Sequence, residues 1–455
     1  MRSTILALGV LIFAAPDALR AEPPSLIAIR NAKVVTVSGT TIEKGTVVLR
    51  DGLIADVGAN ANVPAAAYVI DGNGLTVYPG LIDGLSAWGI PEAAAPAAAA
   101  QQARGAGQRQ AAPATPPGEQ PQRARGPEDR PATTSWLKAA DLVRPTDRRL
   151  ESARAAGFTT AVTFPKQGII AGHGAVVNLA GERAGSMVVH PSAGLYLTLQ
   201  SGGFASFPGS LMGVLSYIKQ VWLDAAHYRM AKEAYAKNAR MQRPEYDRAL
   251  EGVLEAQRIL LPAATRVQLE RMTRFVAQLG APAVIYGAHE GYRAAAILKQ
   301  AGTPVVLNIK WPVKSRDADP EEEESYRTLE VRDKAPSTPA ALAEAGVKFA
   351  VSSDGLETPR EMLRALKKSI DAGLKPDQAV RALTLSAAEI YGVADRLGSI
   401  ERGKIANLTV VRGDLFDEKA KVEMVFIDGV KHLPAPEAPP GPGAGPGGRP
   451  GGEGN

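Results

Sequence analysis

Short apolar runs follow one another along this chain in two different rhythms. From Leu26 to Tyr78, β-branched and apolar residues arrive in bursts, IAIRNAKVVTV, GTVVLRDGLIADVG and AYVIDGNGLTVY. This is the pattern of short strands. Asp51-Gly52 and Asp71-Gly72 stand between the bursts and supply hairpin-type turns. The same grammar returns from Gly398 to His432 in GSIERGKIANLTVVRGDLF and VEMVFIDGVKH. The two ends, 26–78 and 398–432, are therefore expected to form one composite β-sandwich domain.

The middle, 79–397, alternates differently. FTTAVTF, PAVIYGA, TPVVLNI and VKFAVSSD are short and apolar, and each adjoins an Ala/Leu/Arg/Glu-rich stretch with helical spacing. Two such stretches, AHEGYRAAAILKQAG and PREMLRALKKSIDAG, end at a glycine suited to a helix C-terminus. Repeated β-α alternation predicts an α/β fold, a (β/α)8 TIM-type barrel, with its chemistry at the C-terminal strand ends. Two segments break the pattern. Residues 93–134 are rich in Ala, Gln, Pro, Arg and Gly, and 434–455 are nearly all Pro, Gly and Ala. Neither offers enough apolar surface to offset chain entropy, so both are expected to be disordered.

Composition narrows the function classes. The chain has 455 residues, 45% hydrophobic and 22% charged, with net charge +5. Residues 101–150 carry nine Arg/Lys against five Asp/Glu, so much of the basicity is local. Aromatics make up 5%, with no basic stripe interleaved among them, which argues against nucleic-acid binding. The absence of cysteine excludes disulfides, thiolate ligands and Cys nucleophiles. Arg2, the apolar run Ile5–Ala15, and small Ala18 and Ala21 read as a signal peptide over 1–21. Export, with a periplasmic destination, is expected, and no membrane association after cleavage.

Two junctions carry a family resemblance. TVYPGLIDGLSAWG, Thr76 to Gly89, and LTLSAAEIYGVADRLGSIERGKIANLTVV near the C-terminus resemble the barrel entry and exit of the amidohydrolase superfamily. AGFTTAVTFP, GIIAGHGAVVNLAG and GAHEGYRAAAILKQAG are similar to its imidazolonepropionase-like and dipeptidase-like branch. The resemblance implies hydrolysis of carbon–nitrogen bonds other than peptide bonds by water activated on a divalent metal such as zinc, with a small amide or cyclic amide as substrate. It also implies a homo-oligomer or pairing with an intact family member.

The residues depart from that pattern. The family's His-x-His pair falls on Leu85 and Ala87, its fifth-strand ligands on Pro262 and Ala264, and its next histidine on Gly287. Of the family's metal ligands only Asp354, in AVSSDG, remains. One carboxylate cannot hold such an ion, so a degenerate site is expected, and no cofactor unless the site is rebuilt. The candidates for rebuilding are catalytic Asp354 and His289, with His173, Glu290 and Tyr292 as substrate-binding positions. His190, His227 and His432 have no constellation around them, and Glu321–Glu324 reads as a solvated run. Phe204, Phe207, Met212 and Tyr217 either line an apolar mouth or pack in the core. Three readings follow: a silent barrel that pairs or binds, a divergent hydrolase with Asp354 close to His289, or an exported binder of an acidic partner.

Overall fold

A computed structural model describes residues 24–91, 126–202, 206–315, 319 and 321–434. The expected signal peptide, most of the 93–134 insertion and nearly all of the Pro/Gly tail lie outside the described residues. No described helix is long and apolar enough to cross a membrane.

The N-terminal end supplies β1 (Leu26–Val34), β2 (Ile42–Arg50), β3 (Leu53–Gly58), β4 (Tyr68–Asp71) and β5 (Leu75–Pro79). The barrel follows with β6 (Leu81–Ser86), β7 (Phe158–Thr163), β8 (Ile170–Asn178), β9 (Val188–Leu197), β10 (Ile259–Ala263), β11 (Ala283–Gly287), β12 (Val305–Asn308) and β13 (Phe349–Ser352). The C-terminal end returns as β14 (Leu408–Arg412), β15 (Lys421–Ile427) and β16 (Val430–His432). The ends join in one sheet ordered β16-β15-β14-β5-β1-β2-β3. Strand β1 pairs β4 along its first half and β5 along its second. The sheet thus opens into two leaves around Ile29, Val47, Leu49, Val77, Leu408, Val410 and Phe426.

The second sheet runs in the order β6 to β13 and nearly closes on itself. One strand departs from the parallel pattern expected of the barrel: β8 lies antiparallel to both β7 and β9. The connection from β7 to β8 spans only 164–169 and turns back directly, with no helix between. A loop that short can serve only an antiparallel pair.

Ile82, Val162, Leu260, Val284, Val306 and Ala350 fill the barrel interior. The helix Leu385–Tyr391 contributes Ala387, Ala388, Ile390 and Tyr391 to the same core. Arg396 ties the segment after this helix to the Val189 carbonyl at 2.6 Å, at the N-terminal end of the barrel. Among the described residues no ladder hydrogen bonds join β13 to β6. Asp83 bridges that seam by accepting hydrogen bonds from the Ser353 N–H at 3.0 Å and from the Ser353 hydroxyl.

The expectation of disorder across 93–134 is corrected for its last residues. Gly126 is buried, Pro127–Asp129 form a 3-10 turn, and Arg130 meets Asp224 at 2.5 Å. The Thr133 hydroxyl lies 2.6 Å from that of Tyr217. These contacts seat residues 126–134 on the long helix Leu211–Lys237 and the start of β8.

Candidate functional site at the barrel mouth

The C-terminal ends of β6, β7 and β9–β13, together with the start of β8, converge on one face. Asp354 stands there two residues past β13, the eighth barrel strand. Lys166, in the loop after β7, reaches across the mouth and places Nζ 2.5 Å from Asp354 Oδ1, with side-chain exposures of 26% and 35%. Beneath this half-buried pair, Tyr196 and Tyr286 stack with ring centroids 4.9 Å apart, and Phe164 packs on Tyr196 at 5.5 Å. The Tyr286 hydroxyl donates to the Leu197 carbonyl at 2.9 Å. Burial, with a smaller contribution from the Asp354 charge, raises both phenols above their ordinary range, so neither offers a phenolate.

Asp83 is the second carboxyl group here. Burial pushes it up to about 7, against the pull of the Ser353 hydrogen bonds, the Leu85 N–H and the Lys166 charge. It is fully buried, so its role is to close the seam rather than to meet a ligand.

Of the positions assigned to metal ligands from the sequence, Leu85 is packed in the core, while Ala87, Pro262 and Ala264 are partly exposed and offer no side-chain donor. Leu85 is 1% exposed and belongs to the interior core with Ile82. Pro262 faces Tyr286 across β10 and β11, in register with Leu260 and Val284, so both share the interior face. The inward residue at the end of the sixth strand is thus Tyr286. This corrects the assignment of that position to Gly287, whose φ of +106° marks a tight turn in which an added Cβ would come within 3.1 Å of the Ala263 carbonyl oxygen. Among the described residues no group of three or more His, Asp or Glu could hold a metal ion. Zinc wants imidazoles and carboxylates converging at one point, whereas this mouth offers leucine, proline, tyrosine and one carboxylate already held by an ammonium. The donor set does not fit the metal.

The other candidate residues are brought to separate places. His289 sits with Nε2 3.2 Å from the Lys310 carbonyl and its ring edge-on to Trp311, and burial lowers its pKa. The hydrogen bonds of Asp354 and His289 therefore run to different partners, Lys166 and the Lys310 carbonyl. His173 lies within β8, with Nε2 2.7 Å from the Gly252 carbonyl of the helix Arg248–Leu254. It faces the outer layer, where burial keeps it neutral. Glu290 is buried and accepts from the Arg266 N–H at 2.9 Å, which satisfies the first turn of the helix Arg266–Leu279. Tyr292 donates its N–H to Thr338 Oγ1 at 3.3 Å.

Phe207 and Tyr217 meet edge-on as core partners, Met212 is 78% exposed, and Phe204 lies outside the described residues. Glu324 is clasped by Arg332. Lys166, Tyr196, Tyr286 and Asp83 were not singled out by sequence reasoning. Asp83 and Lys166 adjoin quoted motifs, the first closing PGLID and the second following AGFTTAVTFP, but nothing local marks either as reaching β13.

Comparison with known proteins agrees with this geometry. The amidohydrolase family model matches residues 228–431. An amidohydrolase from Thermotoga maritima superposes with a TM-score of 0.72 at 25% identity, over 90% of this chain and all of that one. The chain belongs to the amidohydrolase superfamily. Two further amidohydrolase-type structures share the fold at lower identity. A prolidase solved with N-methylphosphonate-L-proline gives 17% identity and a TM-score of 0.52, over 90% of this chain and 100% of the other. Molinate hydrolase gives 14% and 0.52, over 90% and 95%. An adenine deaminase from Moorella thermoacetica is 34% identical over 64 residues, which is 14% of this chain and 10% of the deaminase.

Proposed function

We propose that this chain is a catalytically silent amidohydrolase that has given up metal-assisted hydrolysis and works as an exported partner subunit of an intact family member. The observation that carries this is the Lys166–Asp354 pair, 2.5 Å apart, above a floor packed with Leu85, Tyr196 and Phe164. A metal hydrolase needs an open coordination position for water and room for the scissile bond. Here the retained family ligand is already paired, and Leu85, 1% exposed, stands where an imidazole is needed. Losing even outer-sphere support costs such sites about 10- to 100-fold in affinity or activity. Loss of the inner ligands leaves the fold without its chemistry.

A second reading is a divergent hydrolase of carbon–nitrogen bonds. It is favoured by the half-exposed position of Asp354 at a strand end, where such barrels keep their catalytic groups. One assay separates the two: a cyclic amide, an N-acyl amine and an Xaa-Pro dipeptide are incubated with the purified protein, with and without added zinc. The silent reading expects no turnover above background in either condition. Turnover that disappears in Asp354→Asn would establish the hydrolase.

A further inference from the structure

The mismatch between the family's metal and this donor set is met by a specific residue. We infer that Lys166 is a tethered cation that takes over the metal's electrostatic role at the barrel mouth, neutralising Asp354 and clamping the β7–β8 loop to the end of β13. The inference rests on the metal-free reading above and names the device that replaces the ion.

Three observations carry it. The Lys166 ammonium meets the one family ligand that remains, at 2.5 Å, although 188 residues separate the two in sequence. The same ammonium also lies near enough to act on Asp83, the second carboxyl group at this seam. The remaining ligand positions carry no charge: Leu85 and Pro262 are apolar, and Tyr286 is kept un-ionised by burial. A carboxylate at a half-buried strand end without a metal is partly desolvated, and a lysine on a neighbouring loop can supply the compensating charge. Lysine suits the task because its ammonium is a compact point charge on a flexible stem long enough to cross the mouth. The pairing also has a mechanical consequence. β8 runs antiparallel, so loop 164–169 is a short turn rather than a βα connection, and Lys166 is its anchor to the opposite wall.

A tethered ammonium and a divalent ion compete for the same carboxylate, so the two should be mutually exclusive. The test uses the full chain as wild type, Lys166→Met, Asp354→Asn and the double variant, each melted alone, with excess chelator and with zinc chloride. The wild-type midpoint is expected to stay unchanged by chelator and zinc. Lys166→Met, which leaves Asp354 uncompensated, is expected to melt lower by roughly 2–4 °C. Adding Asp354→Asn to it should recover most of that loss, because the orphaned charge is then gone. Lys166→Arg should retain the wild-type midpoint. If Lys166→Met does not fold, the exchanged pair Lys166→Asp with Asp354→Lys is melted instead, and a midpoint near wild type supports the inference. Losses that simply add in the double variant, or an exchanged pair that unfolds, would overturn the tethered-cation role while leaving the metal-free reading intact. A rise of the wild-type midpoint with zinc, reversed by chelator, would overturn both.

Discussion

Asp83 shows how one side chain can stand in for backbone pairing. It takes the Ser353 N–H at 3.0 Å and the Leu85 N–H at 3.2 Å, in a place where it is wholly buried. Its carboxyl is lifted to about 7, well above the value of an unfolded chain. Between about pH 4 and 7 the folded protein holds a proton that the unfolded chain has released. The associated stability is complete below pH 4 and is lost as pH rises through about 7, at about 1.4 kcal/mol per unit at most. Urea denaturation should therefore show wild-type stability falling across that window relative to Asp83→Asn, whose curve should be flatter. Parallel curves would mean that Asp83 does not retain its proton. Leu85 offers a second check. As a fully buried core residue, its replacement in Leu85→Ala should cost about 2–5 kcal/mol in the same assay, whereas a loss under 1 kcal/mol would mean a loose, open mouth.

At the scale of elements, the helix Leu385–Tyr391 plugs the barrel from its N-terminal end, and the Tyr391 hydroxyl donates to the Gly84 carbonyl at 2.6 Å. Tyr391→Phe removes that donor and leaves a buried carbonyl short of a partner, at a cost of about 1–3 kcal/mol by denaturant titration. No loss would place the hydroxyl outside the network that holds β6. The strands themselves were largely legible: FTTAVTF, PAVIYGA, TPVVLNI and VKFAVSSD all contain barrel strands, and Asp354 falls just past the eighth. Strand direction was not, because apolar patterning is the same whichever way a strand runs, and β8 is set antiparallel by the short loop before it. The sixth-strand position was missed by one residue, and a single step exchanges the two faces of a strand, so Tyr286 faces inward where Gly287 had been placed. Lys166 was invisible because its meaning lies in a partner 188 residues away.

At the scale of the molecule, the barrel and the end sheet are stitched by a buried polar network. Asn407 Nδ2 donates to Asn178 Oδ1 at 2.7 Å and to Thr160 Oγ1 at 3.0 Å, while Asn178 Nδ2 donates to Asp428 at 2.8 Å. The low-complexity insertion enters after Pro91, and the chain rejoins the described fold at Gly126. Deleting 93–125 should leave the melting temperature within about 1 °C, since none of the described contacts is lost. Extending the deletion through residue 134 removes Arg130 and Thr133 from Asp224 and Tyr217, and should lower it by roughly 2–4 °C for each kcal/mol forfeited. Equal effects of the two deletions would contradict the packing of 126–134.

The central claim is the proposal that this amidohydrolase barrel is metal-free, because its assigned ligand positions offer no donor and its remaining carboxylate is paired with Lys166. Elemental mass spectrometry of the purified protein after mild dialysis, with Asp354→Asn alongside, tests it directly. The account predicts zinc, manganese and iron at background in both proteins. Near-stoichiometric metal in the wild type that drops in Asp354→Asn would contradict it.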